Sequence, residues 1–353
     1  MIVKSISCKN FRNIEEEVLI PCENMNVICG ENAQGKTNFL EALWLFTGAK
    51  SFRGAKDSEF LKFGCEKASL NLEFISEEIE KEAKIEIKDK RIAFLNNNKL
   101  SSASALAGNF NAIIFSPTDL KIVTDGPSER RKFLDTAIGQ LYPSYIDVLR
   151  KYIRAVTQRN KIIKEYKYDS SLCVMLDVFE EEIALNGEKI INLRKNYIEK
   201  LNCFLENIYS GISSGKEVLK TIYCCSCEEN ILEELKNSRK EDMYSGVTSK
   251  GPHRDDIRFE INGVSARSFA SQGQKRSIAL SLKLAEAEVI KKDVGESPIF
   301  LLDDVMSELD PERQNFVLNH IKGLQAFITC CDESNIKGLK EGKIFRINKG
   351  KIY

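Results

Sequence analysis

The sequence predicts an α/β fold. The two ends of the chain build one P-loop nucleotide-binding head, and a mainly helical domain is inserted between them. Three observations carry this. First, Met25-Asn26-Val27-Ile28-Cys29 reads as a short buried strand, Gly30-Glu31-Asn32-Ala33-Gln34-Gly35-Lys36-Thr37 as a glycine loop, and Asn38 to Phe46 as a helix with Gly48 just past its end. Second, more than 230 residues later, the apolar run Pro298-Ile299-Phe300-Leu301-Leu302 ends in Asp303-Asp304, a strand delivering a carboxylate to a metal–phosphate site. Third, helical periodicity dominates from about Ser128 to Lys240, between strand-rich flanks.

In order along the chain, Val3–Cys8 and Val18–Ile20 read as a hairpin around Asn10-Phe11-Arg12-Asn13, where Arg12 is either a nucleotide contact or a surface arginine. The loop Gly30–Thr37 fits G-x-x-x-x-G-K-[ST]. Its glycines let successive N–H groups converge on phosphate, Lys36 reaches the β- and γ-phosphates, and the Thr37 hydroxyl holds Mg²⁺. Residues Gly30, Glu31, Asn32, Ala33, Gln34, Gly35, Lys36, Thr37 and Asn38 are thus the predicted nucleotide site. Ala68–Phe74, Ala83–Ile87 and Arg91–Leu95 read as strands, with a turn at Asn96–Lys99. Ala112–Phe115 is a buried strand that stops at Ser116-Pro117.

The helical middle shows stripes at Phe133, Leu134, Ile138 and Leu141, then at Ile146, Leu149, Tyr152, Ile153 and Val156. Leu172 to Tyr209 fits two helices or one long bent one. Residues 151–164 hold five basic and no acidic side chains. On charge alone, Arg53, Lys151, Arg154, Arg159 and Lys161 are candidate DNA-phosphate contacts, against the alternative of a solvated helix face. Strands return after residue 245: Asp256–Ile261 followed by Asn262-Gly263 is a hairpin signal. Ser271-Gln272-Gly273-Gln274 then opens a helix running to Ile290, a second anion-binding terminus. Asp303 is placed to hold Mg²⁺ and Asp304 to polarise an attacking water. Asp310-Pro311 opens the next helix, Gln325–Thr329 is the last core strand, and a hairpin closes the chain. The division is therefore a discontinuous head, 1–127 and 245–353, with a helical arm domain at 128–244.

Composition excludes little by itself. Of 353 residues, 42% are apolar and 29% charged, enough for a core in a water-soluble chain. Basic and acidic residues balance at 52 each, so any nucleic-acid surface must be a local patch. The N-terminus lacks a charged leader before an apolar core, and no run approaches a membrane span of about 18 residues. The eleven cysteines are expected as reduced thiols in the cytoplasm. Cys224-Cys225-Ser226-Cys227 holds one C-x-x-C without a second ligand pair, so either a metal ligand pair or an apolar strand with cysteine as a small hydrophobe. His253, beside Asp255 and Asp256, is either a proton shuttle or a structural turn residue.

A P-loop at one end, with a Ser-x-Gly helix start and an Asp-Asp strand end at the other, requires the chain ends to come together. That split is the ABC-type arrangement, in which the signature of one subunit covers the γ-phosphate on the P-loop of another. The sequence specifically resembles the RecF family of bacterial recombination mediators, relatives of the SMC proteins. Four stretches carry the resemblance: Asn10–Asn13 with the P-loop; Pro117 to Asp135, including Gly126-Pro127-Ser128-Glu129-Arg130-Arg131; Gly251-Pro252-His253-Arg254-Asp255-Asp256 with Ser271–Gln274; and Leu301 to Asp310.

The resemblance implies an ATP- and Mg²⁺-dependent homodimer that binds double-stranded and gapped or junction DNA. It also implies work with RecO and RecR to load RecA, away from any membrane. It assigns Lys36 and Thr37 to phosphate and Mg²⁺, Asp303 to Mg²⁺, Asp304 to water activation, and Ser271 and Gly273 to γ-phosphate across the dimer. Asp310 falls at the dimer seam, and Arg12 on the nucleotide. Four positions depart from the pattern. Thr118 stands where an acidic residue is usual and Asp125 where glycine is; Asp304 replaces the glutamate of many such ATPases; Thr329-Cys330-Cys331-Asp332 carries no histidine. The last two imply slow hydrolysis, and the expected activity is that of a weak, DNA-stimulated ATPase. Rival readings are an SMC-like structural ATPase, which would need a long coiled coil, a transporter ATPase subunit, a nuclease with an added metal domain, and a DNA-binding module with negligible hydrolysis.

Overall fold

The computed structural model describes residues 1–165, 173–227, 230–331 and 342–353; Leu172 and Asp332 lie outside them. The N-terminal strands β1 (Ile2–Phe11) and β2 (Ile14–Leu19) form the expected hairpin, and β3 (Met25–Cys29) leads through the glycine loop into α1 (Lys36–Leu45). Strands β4 (Ala68–Ser76), β5 (Ile79–Ile87), β6 (Arg91–Leu95) and β7 (Asn98–Lys99) complete a six-stranded antiparallel sheet in the order β2-β1-β4-β5-β6-β7. Along β4 the buried side chains alternate, as one covered face requires.

The nucleotide-bearing sheet has another logic. Strand β8 (Ala112–Phe115) is followed by α2 (Lys121–Thr124), α3 (Pro127–Leu141), α4 (Pro143–Glu165), α5 (Cys173–Ile212), β9 (Leu219–Cys224) and α6 (Ile231–Ser245). Then come β10 (Asp256–Ile261), β11 (Val264–Ser265), α7 (Ala266–Phe269), α8 (Gln272–Val294), β12 (Ile299–Asp303), α9 (Pro311–His320), β13 (Ala326–Cys330), β14 (Gly342–Asn348) and β15 (Lys351–Ile352). The second sheet runs β15-β14-β3-β13-β12-β8, and β14, β3, β13, β12 and β8 are mutually parallel. All five residues of β12 and of β13 are buried, because both sheet faces are covered; hence the unbroken apolar runs. Placing β3 between β13 and β14 brings the chain ends together, as the split motifs require.

The middle is helical, and Cys173 to Ile212 forms one continuous helix of 40 residues rather than two. It packs along α4, α6, β9 and α8. Strand β9 pairs antiparallel with β10, so this layer is stitched to chain beyond residue 245. The segment Pro127–Asp135 meets Gly251–Asp256 there. Arg130 donates to both carboxylate oxygens of Asp256 at 2.6 and 3.0 Å, Arg131 to the Asp255 carbonyl at 2.6 Å, and Arg194 to Asp135 at 2.7 Å. Arg194 also donates to the Pro252 carbonyl at 2.7 Å, so it bridges the two stretches. The Asp125 departure costs nothing locally: its φ of −88° with extended ψ suits any residue. At Thr118, the hydroxyl pairs with Ser116 Oγ at 2.6 Å, and the short turn is still capped by the Asp119 carboxylate on Ser116 N at 2.6 Å.

Arg159 corrects one sequence expectation. It is fully buried and donates to Glu180 and Asp242, themselves fully buried, at 2.7–3.1 Å. A guanidinium in that setting cannot reach a DNA phosphate. Lys151, Arg154 and Lys161 on the same helix are exposed.

Candidate nucleotide site

The P-loop shape follows from its glycines. Gly35 sits at φ 113°, the left-handed N-cap of α1, and a Cβ there would lie 2.6 Å from Asn13 Oδ1. A Cβ on Gly30 would meet the Ile347 carbonyl of β14 at 2.4 Å. The loop crest is pinned from outside: Asn13 Nδ2 donates to the Gln34 carbonyl at 2.9 Å, Gly350 N donates to the same oxygen at 2.9 Å, and Asn38 Nδ2 donates to Asn13 Oδ1 at 2.7 Å. Asn13 was not singled out as a site residue, although it directly follows Arg12.

Lys36 is buried, and its ammonium folds back on the loop, donating to the Gly30 carbonyl at 2.5 Å and the Glu31 carbonyl at 3.2 Å, with Cys331 Sγ at 3.3 Å. A cleft of about 610 Å³ opens beside it, lined by Cys29, Gly30, Glu31, Gln34, Cys331 and Arg346. That volume suits a nucleotide-sized ligand.

Thr37 Oγ1 donates to Asp303 Oδ1 at 2.7 Å across 266 positions of sequence. Strand order is the cause: β12 lies beside β13, which lies beside β3, so both motifs emerge at one sheet edge. Thr329, facing Asp303 in the β12–β13 register, donates from Oγ1 to the same Oδ1 at 3.0 Å and accepts Asp304 N–H at 2.9 Å. Asp304 takes a left-handed φ of 53°, unusual for a residue with a side chain. Burial raises the Asp303 carboxyl above the usual range, opposed by the Thr37 and Thr329 hydrogen bonds. Two adjacent oxygens 2.7 Å apart are close to the ~2.9 Å edge of a Mg²⁺ octahedron with ~2.05 Å bonds, so Thr37 and Asp303 fit that ion.

Arg12 and Arg53 converge on the fully buried Glu41 of α1. Arg12 donates to its two oxygens at 2.9 and 3.0 Å and to the Glu59 carbonyl at 2.9 Å, and stacks over Phe60 at 5.1 Å. Arg53 reaches Asn38 Oδ1 at 3.1 Å and Glu41 at 3.7 Å, which sets it beside the P-loop helix. Glu41 and Thr329 are site residues that the sequence reading missed; their only signal was a polar group inside an apolar run.

The signature caps α8. Ser271 Oγ accepts Gln274 N at 3.2 Å, Gln274 Oε1 accepts Ser271 N at 2.7 Å, and Gln274 Nε2 donates to Glu217 at 2.7 Å. Ser271 and Gln272 are exposed, and Gly273 is half-buried. Among the described residues no hydrogen bond joins this turn to the P-loop of the same chain. Asp310 caps α9 through Arg313 N at 3.0 Å and pairs with the Arg313 guanidinium. His253 lies against Tyr152 of α4. Its Nε2 donates to the Thr248 carbonyl at 3.0 Å, so the neutral ring accepts Tyr152 O–H at Nδ1, 2.6 Å away. Among the described residues, Cys224, Cys225 and Cys227 belong to no metal-ligating cluster. No helix there is long and apolar enough to cross a membrane.

The RecF/RecN/SMC N terminal domain family matches residues 2–351. The chain is 38% identical to the DNA replication and repair protein RecF of Lachnospira eligens over 359 residues, covering 100% of this chain and 99% of that protein. It is 40% identical over 364 residues to the DNA replication and repair protein RecF of Clostridium acetobutylicum, covering 100% of this chain and 99% of that protein. A solved structure of the recombination mediator protein RecF with ATP, in the RecFOR pathway, superposes with a TM-score of 0.93 at 38% identity, covering 100% of this chain and 97% of that one. The Smc head domain of Pyrococcus furiosus, with an extended coiled coil and bound to the C-terminal domain of ScpA, is alike in fold alone: TM-score 0.57, 16% identity, 100% and 96% covered. The architecture is an ABC-type P-loop ATPase head with an extended helical region.

Proposed function

The chain belongs to the RecF family, and from that membership we propose that it is an ATP-dependent DNA-binding protein of recombinational repair and replication restart, working in the cytoplasm. The observation that carries the reading is the 2.7 Å meeting of Thr37 and Asp303, which assembles a phosphate-and-metal site from opposite ends of the chain. ATP binds the Gly30–Thr37 loop. Thr37 and Asp303 would hold Mg²⁺, which when bound would neutralise phosphate charge. Lys36 exchanges its loop carbonyls for phosphate oxygens, and Asp304 orients water.

Ser271 and Gly273 of a second copy close over the γ-phosphate, with Asp310 at the seam, so ATP gates a dimer. The support is that the signature turn is exposed and finds no P-loop within its own chain. The dimer retains double-stranded and gapped or junction DNA, through a face that includes Lys151, Arg154 and Lys161, and assists RecA loading with RecO and RecR. Hydrolysis is weak and DNA-stimulated, well below the ~10 s⁻¹ of a median enzyme, and times DNA release. The 1–127 and 245–353 head, with 128–244 as arm, is the matching domain division.

Light scattering of wild type and Ser271→Arg, with and without ATP, on and off a gapped duplex, tests this. ATP should double the mass of wild type alone, and the dimer should retain the duplex. Equal behaviour of the two proteins would remove the signature from the mechanism.

A further inference from the structure

Three thiols crowd the phosphate end of the cleft. Cys29 ends β3 and directly precedes the P-loop, and Cys330 is its register partner at the end of β13. Both are buried, 5% and 3% exposed, yet their Sγ atoms stand 2.8 Å apart. Cys331, the next residue, is exposed; it donates to Asn32 Oδ1 at 3.0 Å and stands 3.3 Å from the Lys36 ammonium. Cys29 and Cys331 both line the cleft, so a small oxidant entering where ATP enters meets this cluster. Paired residues on neighbouring strands have the backbone separation a disulfide accepts, and these sulfurs need close only to ~2.05 Å.

We propose that Cys29 and Cys330 form a peroxide-sensitive dithiol switch that turns off the nucleotide site. Two thiols and one hydroperoxide give one disulfide, one alcohol and one water. The Cys29 Sγ–Cys330 Sγ bond forms, the O–O bond breaks, and the two thiol protons leave on the two oxygens. With hydrogen peroxide both products are water. A dithiol reductant returns the disulfide to two thiols by exchange and is itself oxidised to a disulfide. The inference rests on the nucleotide reading, because its output is ATP affinity.

The link from bond to site is steric. Gly30 is wedged against β14, with no room even for a Cβ beside the Ile347 carbonyl, and Gly30 N donates to the Cys330 carbonyl at 3.3 Å. Drawing Cys29 toward Cys330 cannot be relieved by sliding β3, so the next peptides turn instead. Those peptides carry the Gly30 and Glu31 carbonyls that hold Lys36. The loop N–H groups and the ammonium then no longer converge on one phosphate.

The test treats the full chain with hydrogen peroxide, with and without prior ATP. It reads intact mass, the linked peptides, and affinity for a fluorescent ATP analogue before and after dithiothreitol. The proposal expects a loss of two hydrogens mapped to Cys29–Cys330, analogue affinity about tenfold weaker, or ~1.4 kcal/mol, full recovery with reductant, and protection by ATP. Cys330→Ala should bind the analogue equally before and after peroxide. No linkage, a linkage through Cys331 instead, or a mapped Cys29–Cys330 bond with unchanged affinity would each overturn it. Linkage mapping on wild type needs no variant to fold. Reduced wild type that binds no analogue would sink the nucleotide reading, and the switch with it, whereas reduced protein that binds and oxidised protein that also binds would sink the switch alone.

Discussion

At the scale of single residues, Thr329 ties the two acidic positions together. One hydroxyl donates to Asp303 and accepts the Asp304 backbone N–H, fixing the left-handed turn that aims Asp304. Thr329→Val keeps the shape and loses both bonds. We expect ATP turnover to fall by about tenfold to a hundredfold, the effect of one lost hydrogen bond or two at ~1–2 kcal/mol each, with little change in KM. Thr329→Ser should restore turnover, and steady-state kinetics of the pair would expose a merely structural role as an equal loss in both. His253 gives a pH prediction. Burial lowers its pKa from 6.5, and Arg254 and Arg131 lower it further, against Asp255 and the Thr248 carbonyl. The unfolded chain therefore binds a proton below pH 6.5 that the folded chain refuses, so stability falls as pH drops from 6.5 toward the folded pKa. Thermal melts between pH 7.5 and 5.5 should show this decline, and it should flatten in His253→Gln.

At the scale of elements, α4 separates two meanings of a basic residue. Removing Arg159 leaves Asp242 buried without its counter-charge and Glu180 with Arg239 alone, so Arg159→Ala should destabilise by about 3–5 kcal/mol, visible as a lower urea midpoint. Lys151→Ala, Arg154→Ala and Lys161→Ala together should leave that midpoint unchanged. They should weaken duplex binding uniformly across sequences, with a shallower salt dependence; an unchanged salt slope would take the DNA face off α4. Sequence could not divide these residues, since the partners of Arg159 lie on α5 and α6, 21 and 83 positions away. The same limit hid Glu41, which looks like an ordinary helix glutamate until β1 delivers Arg12 to it. What was legible was contiguous: the P-loop with its strand and helix, the apolar run ending in Asp303, and the Asn-Gly hairpin after β10. Each is local backbone chemistry, read within ten residues. The strand order that joins them was legible only as a requirement that the chain ends meet.

At the scale of the whole molecule, that strand order decides what one chain can and cannot do. The order β3-β13-β12 brings Thr37 to Asp303 within one chain, the phosphate-and-metal half of the proposed site. It leaves the Ser271 turn, held by its own capping box, facing solvent. The proposed closure by a second copy has a consequence that a self-contained site lacks. In a mixed dimer of Lys36→Ala and Ser271→Arg, one composite site joins the P-loop of the Ser271→Arg chain to the signature of the Lys36→Ala chain. Both of those parts are intact, and the opposite site is broken twice. Neither variant alone should dimerise with ATP, whereas an equimolar mixture should, with one bound nucleotide per dimer by light scattering and nucleotide counting. If each chain completed its own site, every chain in the mixture would remain defective and mixing would restore nothing. Recovery on mixing therefore requires that the protein's unit of function is the pair, with the ATP as part of its interface.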